Sequence, residues 1–266
     1  MSIQTPNPDD PYVIRTDGDG IATLTLNRAH QFNSLSQAMI AALHRELDAI
    51  ASDAAVRVVV IAGAGKAFCA GHDLKEMRAN HNKGFMQDLF KRCGKMMMAL
   101  TQMPQPVIAR VHGIATAAGC QLVSMCDLAV AADTARFATS GINVGLFCAT
   151  PGVGLSRNLG RKQALEMLLT GDFIDAPTAL QQGLVNRVVA GDALDAEIDQ
   201  LARSIIAKSS VAIGMGKQMF YKQLEMGLEG AYQYASEVMA CNMMTDDAAE
   251  GIDAFIGKRK AEWKGR

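Results

Sequence analysis

PVIARVHGIATAAGCQLVSMCD, residues 106–127, is the stretch whose reading decides the fold. Val107 to Val111 is a hydrophobic run that predicts a strand, ending at His112-Gly113. The small residues Ala115 to Gly119 follow and lead into a helical pattern around Leu122 and Val123. A strand-to-helix turn of small side chains lets a ligand approach the backbone closely, and the first N–H groups of a helix have no partner within it. Such groups bind an anion or a developing oxyanion. Tight helix–sheet packing explains the same cluster of Ala and Gly, so this stretch alone leaves both readings open.

A second stretch weighs on that choice. VRVVVIAG, residues 56–63, predicts a buried strand by its β-branched run and leads into GAGKAFCAGHDLKEM, residues 63–77. The Cys69-Ala70-Gly71 turn again presents free backbone N–H groups at a helix start, with Asp73 and Glu76 suited to the positive end of its dipole.

KAFCAGHDLKEM followed by PVIARVHGIATAAGCQLVSMCDLAVAA resembles the crotonase superfamily, the enoyl-CoA hydratase/isomerase fold. The similarity runs from about Asn27 to AFIGKRKAEW near the C-terminus, nearly the whole chain. The resemblance implies an α/β fold, a crotonase-type spiral of repeated β-β-α units with a C-terminal helical trimerisation region. It also implies a homotrimer, often paired into a dimer of trimers, and an acyl-CoA thioester substrate. Residues 1–10 are expected as a disordered lead, 11–192 as the core that binds acyl-CoA, and 193–266 as the helical oligomerisation region.

Composition agrees with a compact protein and excludes several classes. The chain has 266 residues, 49% hydrophobic and 20% charged, with a net charge of −1, so no basic surplus points to nucleic acid. Apolar runs are far shorter than a membrane span, and MSIQTPNPDDPY lacks the positive start and apolar core of a signal peptide, so a cytoplasmic location is expected. Cys69, Cys93, Cys120, Cys126, Cys148 and Cys241 show no ligand or disulfide spacing, and the five His are isolated. No nucleotide loop of the GxGxxG or GxxxxGK[ST] type occurs. No metal and no separate cofactor are expected; coenzyme A enters as part of the substrate.

Along the chain, Tyr12–Arg15 and Ile21–Leu26 flank a hairpin turn at Asp17-Gly18-Asp19-Gly20. Ser36 opens a helix with Ile40, Leu43, Leu47 and Ile50 on one face. A long helix is predicted from Met86 to Gln102, stopped by Pro104 and Pro106, with Met96 to Met98 as packing residues. Leu128–Ala132 and Arg136–Ala138 are predicted strands, and Gly141 to Gly154 is an irregular pocket wall. From Lys162 onward helices dominate, with Asn186–Val189 strand-like and no visible sequence repeat.

In crotonase relatives two backbone N–H groups hold the thioester oxygen and stabilise the enolate. Matching motifs places them at His72 and Ala118, the latter needing a backbone angle that Ala can adopt. The His72 ring is more often a structural hydrogen-bonder at such a turn than a catalytic imidazole. The family's CoA contacts match His30, Gln31 and Phe32, then Ala70 and Lys75, then Phe255 and Lys258, the last two reaching a neighbouring subunit's site. Lys75 and Lys258 suit phosphates, whereas His30 stands where Lys is common.

Hydratases of the family use two glutamates, and here those positions carry Gln121 and Gly141. Gln does not exchange a proton near neutral pH and Gly has no side chain. Losing general acid–base help costs about two to four powers of ten, so efficient hydration is not expected. Asp73 and Asp127 look structural, while Glu166 and Asp172 are the carboxylates that sequence excludes least. Gln121, Asn143, Thr139, Ser140 and Cys148 remain as polar groups without a strong base. Decarboxylation of a malonyl-type thioester, thioester hydrolysis, and acyl-CoA binding without catalysis are the alternatives; AGHDL resembles the AGHD motif of decarboxylating members.

Overall fold

The computed structural model describes residues 10–266, so the lead expected over residues 1–10 lies almost wholly outside the described residues. Strands β1 (Val13–Gly18) and β2 (Ile21–Leu26) pair antiparallel as the predicted hairpin. Asp19 at φ 51 and Gly20 at φ 80 make its turn, the left-handed pair that a two-residue hairpin of right-handed strands requires. Ser36 caps α1 (Gln37–Ala51) by accepting from the Met39 amide, and the predicted face, Ile40, Leu43, Leu47 and Ile50, is buried.

A unit then repeats: a long strand, a short strand, and a helix. It first gives β3 (Val58–Gly63), β4 (Ala67–Cys69), α2 (Leu74–Ala79) and α3 (Lys83–Gln102). It next gives β5 (Val107–Val111), β6 (Ile114–Thr116) and α4 (Ala118–Met125), and then β7 (Leu128–Ala132), β8 (Arg136–Ala138) and α5 (Ala149–Asn158). The rest of the chain is α6 (Arg161–Thr170), β9 (Ile174–Asp175), α7 (Ala176–Gln182), β10 (Arg187–Val189), α8 (Leu194–Ile206), α9 (Ser210–Gln223), α10 (Leu228–Met243) and α11 (Asp246–Ile256). Helix α3 begins before the predicted Met86 because Asn82 caps it, accepting from the Phe85 amide. Short strands β4, β6 and β9 have too few residues to show a period in the sequence.

The long strands and the short β10 build one sheet in the order β1-β2-β3-β5-β7-β10, parallel apart from the hairpin, and the other short strands build a second in the order β4-β6-β8-β9. Each unit therefore steps one strand along both sheets, which is the spiral. Strand β3 feeds two cores: Val59 and Ile61 face the main one with α1, α3 and α4, while Val58 and Val60 face a second one capped by Leu194, Ile198, Leu201 and Ala202 of α8. Burial on both faces is why β3, β5 and β7 are almost unbroken apolar runs. Met96 and Met97 pack in the main core and Met98 faces outward. No helix among the described residues is long and apolar enough to cross a membrane.

Candidate active site

The site forms where the first two units touch. Gly71, at φ +91, lies so close to the other loop that a Cβ there would sit 2.8 Å from the Ala117 Cβ and 3.2 Å from the Ala118 nitrogen. A Cβ on Gly119 would meet the Cys69 carbonyl oxygen at 2.0 Å. Only small residues let these backbones meet, as the sequence suggested. The contact brings the His72 and Ala118 segments side by side. Ala118 opens α4, so its N–H has no partner within the helix. Among the described residues, neither the His72 nor the Ala118 amide donates to a backbone carbonyl.

The unusual backbone angle falls one residue earlier than expected. Ala117, the N-cap of α4, has φ 50 and ψ −121, a region that favours glycine, while Ala118 is in the helix. Its amide donates to Ala138 at 3.0 Å, and the Thr116 and Ser140 hydroxyls stand 2.7 Å apart, so β6 and β8 fix the turn from behind.

His72 ring Nδ1 lies 3.1 Å from the Leu35 carbonyl, and the ring meets Phe90 edge to face at 5.4 Å. Burial, only partly offset by the Leu35 bond, holds its pKa below the ordinary imidazole value. The ring is therefore neutral near pH 7. A carbonyl can only accept, so Nδ1 carries the proton and Nε2 is left as a buried acceptor with no partner. Gln121 is buried one turn into α4, and its Oε1 likewise has no partner.

At the second glutamate position the space is taken. A Cβ on Gly141 would lie 2.7 Å from the Cys148 sulfur and 2.8 Å from the Leu146 carbonyl oxygen. The Cys148 thiol donates to the Thr139 carbonyl at 3.5 Å, and burial pushes its pKa up, so it stays a thiol. Thr139 Oγ1 donates to the Met167 carbonyl at 2.6 Å, and exposed Asn143 packs beside Gly171.

Nearby carboxylates are engaged or turned to solvent. Asp73 caps α2 by accepting from Lys75 and Glu76 amides, and Glu76 accepts from the Gln37 amide at 3.0 Å. Asp127 accepts from the Val107 amide at 2.6 Å and the Tyr221 hydroxyl at 2.8 Å, and pairs with Lys217. Glu166 and Asp172 are exposed. Among the described residues no cluster of three His, Cys, Asp or Glu has the arrangement of a metal site.

Of the expected CoA contacts, His30 and Gln31 lie in a short 3-10 turn and Phe32 is its left-handed cap at φ 51. The Ala70 amide donates to the Phe32 carbonyl at 3.0 Å, so these residues adjoin the His72 loop. Lys75 is exposed in the first turn of α2. Phe255 lies in the last turn of α11, which packs on α9 and α10, and Lys258 lies two residues past its end; no hydrogen bond among the described residues ties them to the loops above.

Asn33, which sequence reasoning passed over, ties the 28–33 loop to the 64–68 segment. It is fully buried, accepts from the Arg28 amide at 2.9 Å, and donates to the Ala64, Ala67 and Phe68 carbonyls. Its only sequence signal was a second Asn in a loop, and the structure puts it at a left-handed φ of 55, which Asn tolerates better than most residues.

Residues 16–266 match the family model described as enoyl-CoA hydratase/isomerase. The chain is 45% identical over 253 residues, 95% of it and 86% of the relative, to the mitochondrial enoyl-CoA hydratase domain-containing protein 3 of Xenopus laevis. A crystal structure of enoyl-CoA hydratase from Mycobacterium smegmatis superposes with a TM-score of 0.94 at 58% identity, covering 96% of this chain and 99% of that one. The human enoyl-CoA hydratase domain-containing protein 3 structure gives 0.92 at 44%, covering 95% and 100%. The cytoplasmic location expected from the N-terminal sequence is corrected by these relatives: those from Xenopus laevis, Mus musculus and Homo sapiens are named mitochondrial. A missing signal-peptide pattern says nothing of that compartment.

Proposed function

The chain belongs to the enoyl-CoA hydratase/isomerase family, and from that premise we propose that it binds acyl-CoA thioesters and stabilises their enolates between the His72 and Ala118 backbone N–H groups. The observation that carries this is the contact of Gly71 with Ala117 and Ala118, which sets two unpaired amides side by side at a helix start. His30, Gln31, Phe32, Ala70 and Lys75 border the same loops and are the CoA contacts of this chain. Phe255 and Lys258 serve a neighbouring subunit. The assembly is a trimer or a dimer of trimers, supported by the apolar surface that the C-terminal region leaves open: Leu228 is 76%, Met244 86%, Phe255 84% and Ile256 73% exposed.

Efficient hydration of an enoyl thioester is outside this repertoire. Gln121 offers no proton, and Cys148 and the Leu146 carbonyl fill the space where a side chain at 141 would stand. The test is steady-state hydration of crotonyl-CoA by the purified protein, alongside equilibrium binding of the same ester. Binding with turnover at least about a hundredfold below the ordinary enzymatic range of about 1–10³ per second is the expected result. Turnover within that range would mean that other residues supply the acid and base. Malonyl-type and saturated thioesters, whose decarboxylation or hydrolysis needs no glutamate pair, are the next substrates.

A further inference from the structure

Strand β2 turns Ile21, Thr23 and Thr25 away from the main core, in alternation with the buried Ala22, Leu24 and Leu26. Helix α8 packs on that outer side of the sheet, over β3, β5 and β7. Between α8 and β2 lies a cavity of about 420 Å³, a size that takes a small organic ligand. Val60 lines it, whereas Val59 and Ile61 of the same strand face the core that holds Leu122 and Val123 of α4. The cavity is therefore on the far side of the sheet from the helix that carries Ala118.

Arg110 reaches this cavity from β5. Its side chain is only 22% exposed, and among the described residues its polar partner is Asp195 alone, which accepts from Nε. The N–H groups on its two terminal nitrogens have no acceptor among the described residues. A guanidinium taken this far out of water is costly unless its donors are met. A bond at Nε alone also orients the group and leaves free the outer edge of its fork, the edge that takes a carboxylate through two parallel hydrogen bonds.

The rest of the lining limits which anion fits. Ile21, Val60, Ala62 and Ile198 make an apolar floor. Asp195 and Asp199 stand one turn apart on α8 at the rim. The bond to Arg110 holds the Asp195 carboxyl below its ordinary value, so it is ionised near pH 7, and Asp199 pairs with Arg203 at 2.7 Å. Carboxylates at the rim repel a dianion more than a monoanion, and the floor favours an apolar body over further charge. We propose that this cavity is a second ligand site, for a small monocarboxylate with an apolar body, its carboxylate on the outer edge of Arg110 and its chain on the floor between β2 and α8.

The experiment is a set of ligand-detected NMR titrations of the full chain with hexanoate, hexanamide and inorganic phosphate. Wild type is compared with Arg110→Gln, Arg110→Lys and Asp195→Asn. The expected result is that wild type binds hexanoate about tenfold or more tightly than either other probe, and that this preference falls toward unity in Arg110→Gln. Arg110→Lys keeps a charge for Asp195 but loses the fork, so it gives the same reading should the Gln variant fail to fold. Asp195→Asn keeps an oxygen for Nε and removes a competing charge, so hexanoate affinity is expected to rise, by up to about fivefold. A purely structural role for Arg110 would lower stability in its variants and leave the preference in place. Equal binding of acid and amide by wild type, phosphate bound as tightly as hexanoate, a preference that survives both Arg110 substitutions, or weaker hexanoate binding by Asp195→Asn overturns the proposal. None of these outcomes bears on the acyl-CoA reading, which rests on other residues.

Discussion

Ala117 holds a backbone conformation that normally belongs to glycine, with its methyl group against Gly71. Such angles cost about 1–3 kcal/mol in a residue with a Cβ. Ala117→Gly relieves that strain but gives the unfolded chain more freedom, so a net gain of about 1 kcal/mol in unfolding free energy is expected by urea denaturation. Gly71→Ala does the reverse: it forces a Cβ into a φ of +91 and against the opposite loop at 2.8 Å. A loss of about 1–3 kcal/mol together with weakened acyl-CoA binding is expected, because the loops that carry His72 and Ala118 must part. The sequence made the importance of small residues at both loops plain, since a strand, a run of Ala and Gly, and a helix are a local pattern. It pointed to Ala118 where the strain is at Ala117, because which residue takes the odd angle depends on how β6 ends. Cys148 closing on Gly141 was invisible for the same reason: the two meet only through the fold of the 140s loop.

At the scale of elements, long strands and amphipathic helices were legible, while β4, β6 and β9, of two or three residues each, were not. Also illegible was what pins α9 to the core. Lys217 pairs with Asp127 at 2.6 Å and donates to the Leu100 and Gln105 carbonyls at 2.7 and 2.8 Å, while Tyr221 donates to the same aspartate. This joins α9 to the ends of α3 and α4 and the start of β5. Burial lowers the lysine pKa and Asp127 pulls it back, leaving it below the ordinary value. Asp127 looked structural from sequence, but its partner there could not be named, because one so far along the chain leaves no local trace. Lys217→Met strands a buried carboxylate and two carbonyls, and a loss of about 3–5 kcal/mol in unfolding free energy is expected, measured by urea denaturation.

For the whole molecule, the C-terminal segment is tied back onto the helical region. Asp247 accepts from the Ser209 hydroxyl at 2.6 Å and from Lys264 and Gly265 amides, and Glu250 pairs with Arg259 while accepting from the Glu262 amide. The single tryptophan, Trp263, donates to the Ala207 carbonyl at 2.8 Å and so reports on this attachment. Arg259 holds the Glu250 carboxyl down from 4.5 to about 2. A depressed carboxylate stabilises the attachment fully above pH 4.5, and that contribution is lost as pH falls through about 2. Trp263 emission is expected to shift to the red across that window, and Glu250→Gln to reduce the dependence there, with Asp247, whose carboxyl despite burial is also held down by the Ser209, Lys264 and Gly265 hydrogen bonds, supplying the remainder. The contact between Gly71 and Ala117 carries a last consequence, for the order of events as the chain folds. Its two sides come from successive units of the spiral, so neither unit alone contains the proposed binding site, and closing the long loop between them costs entropy before it returns anything. On that proposal ligand capture is a late event in folding, because a nascent chain that has not yet delivered α4 lacks one of the two backbone donors.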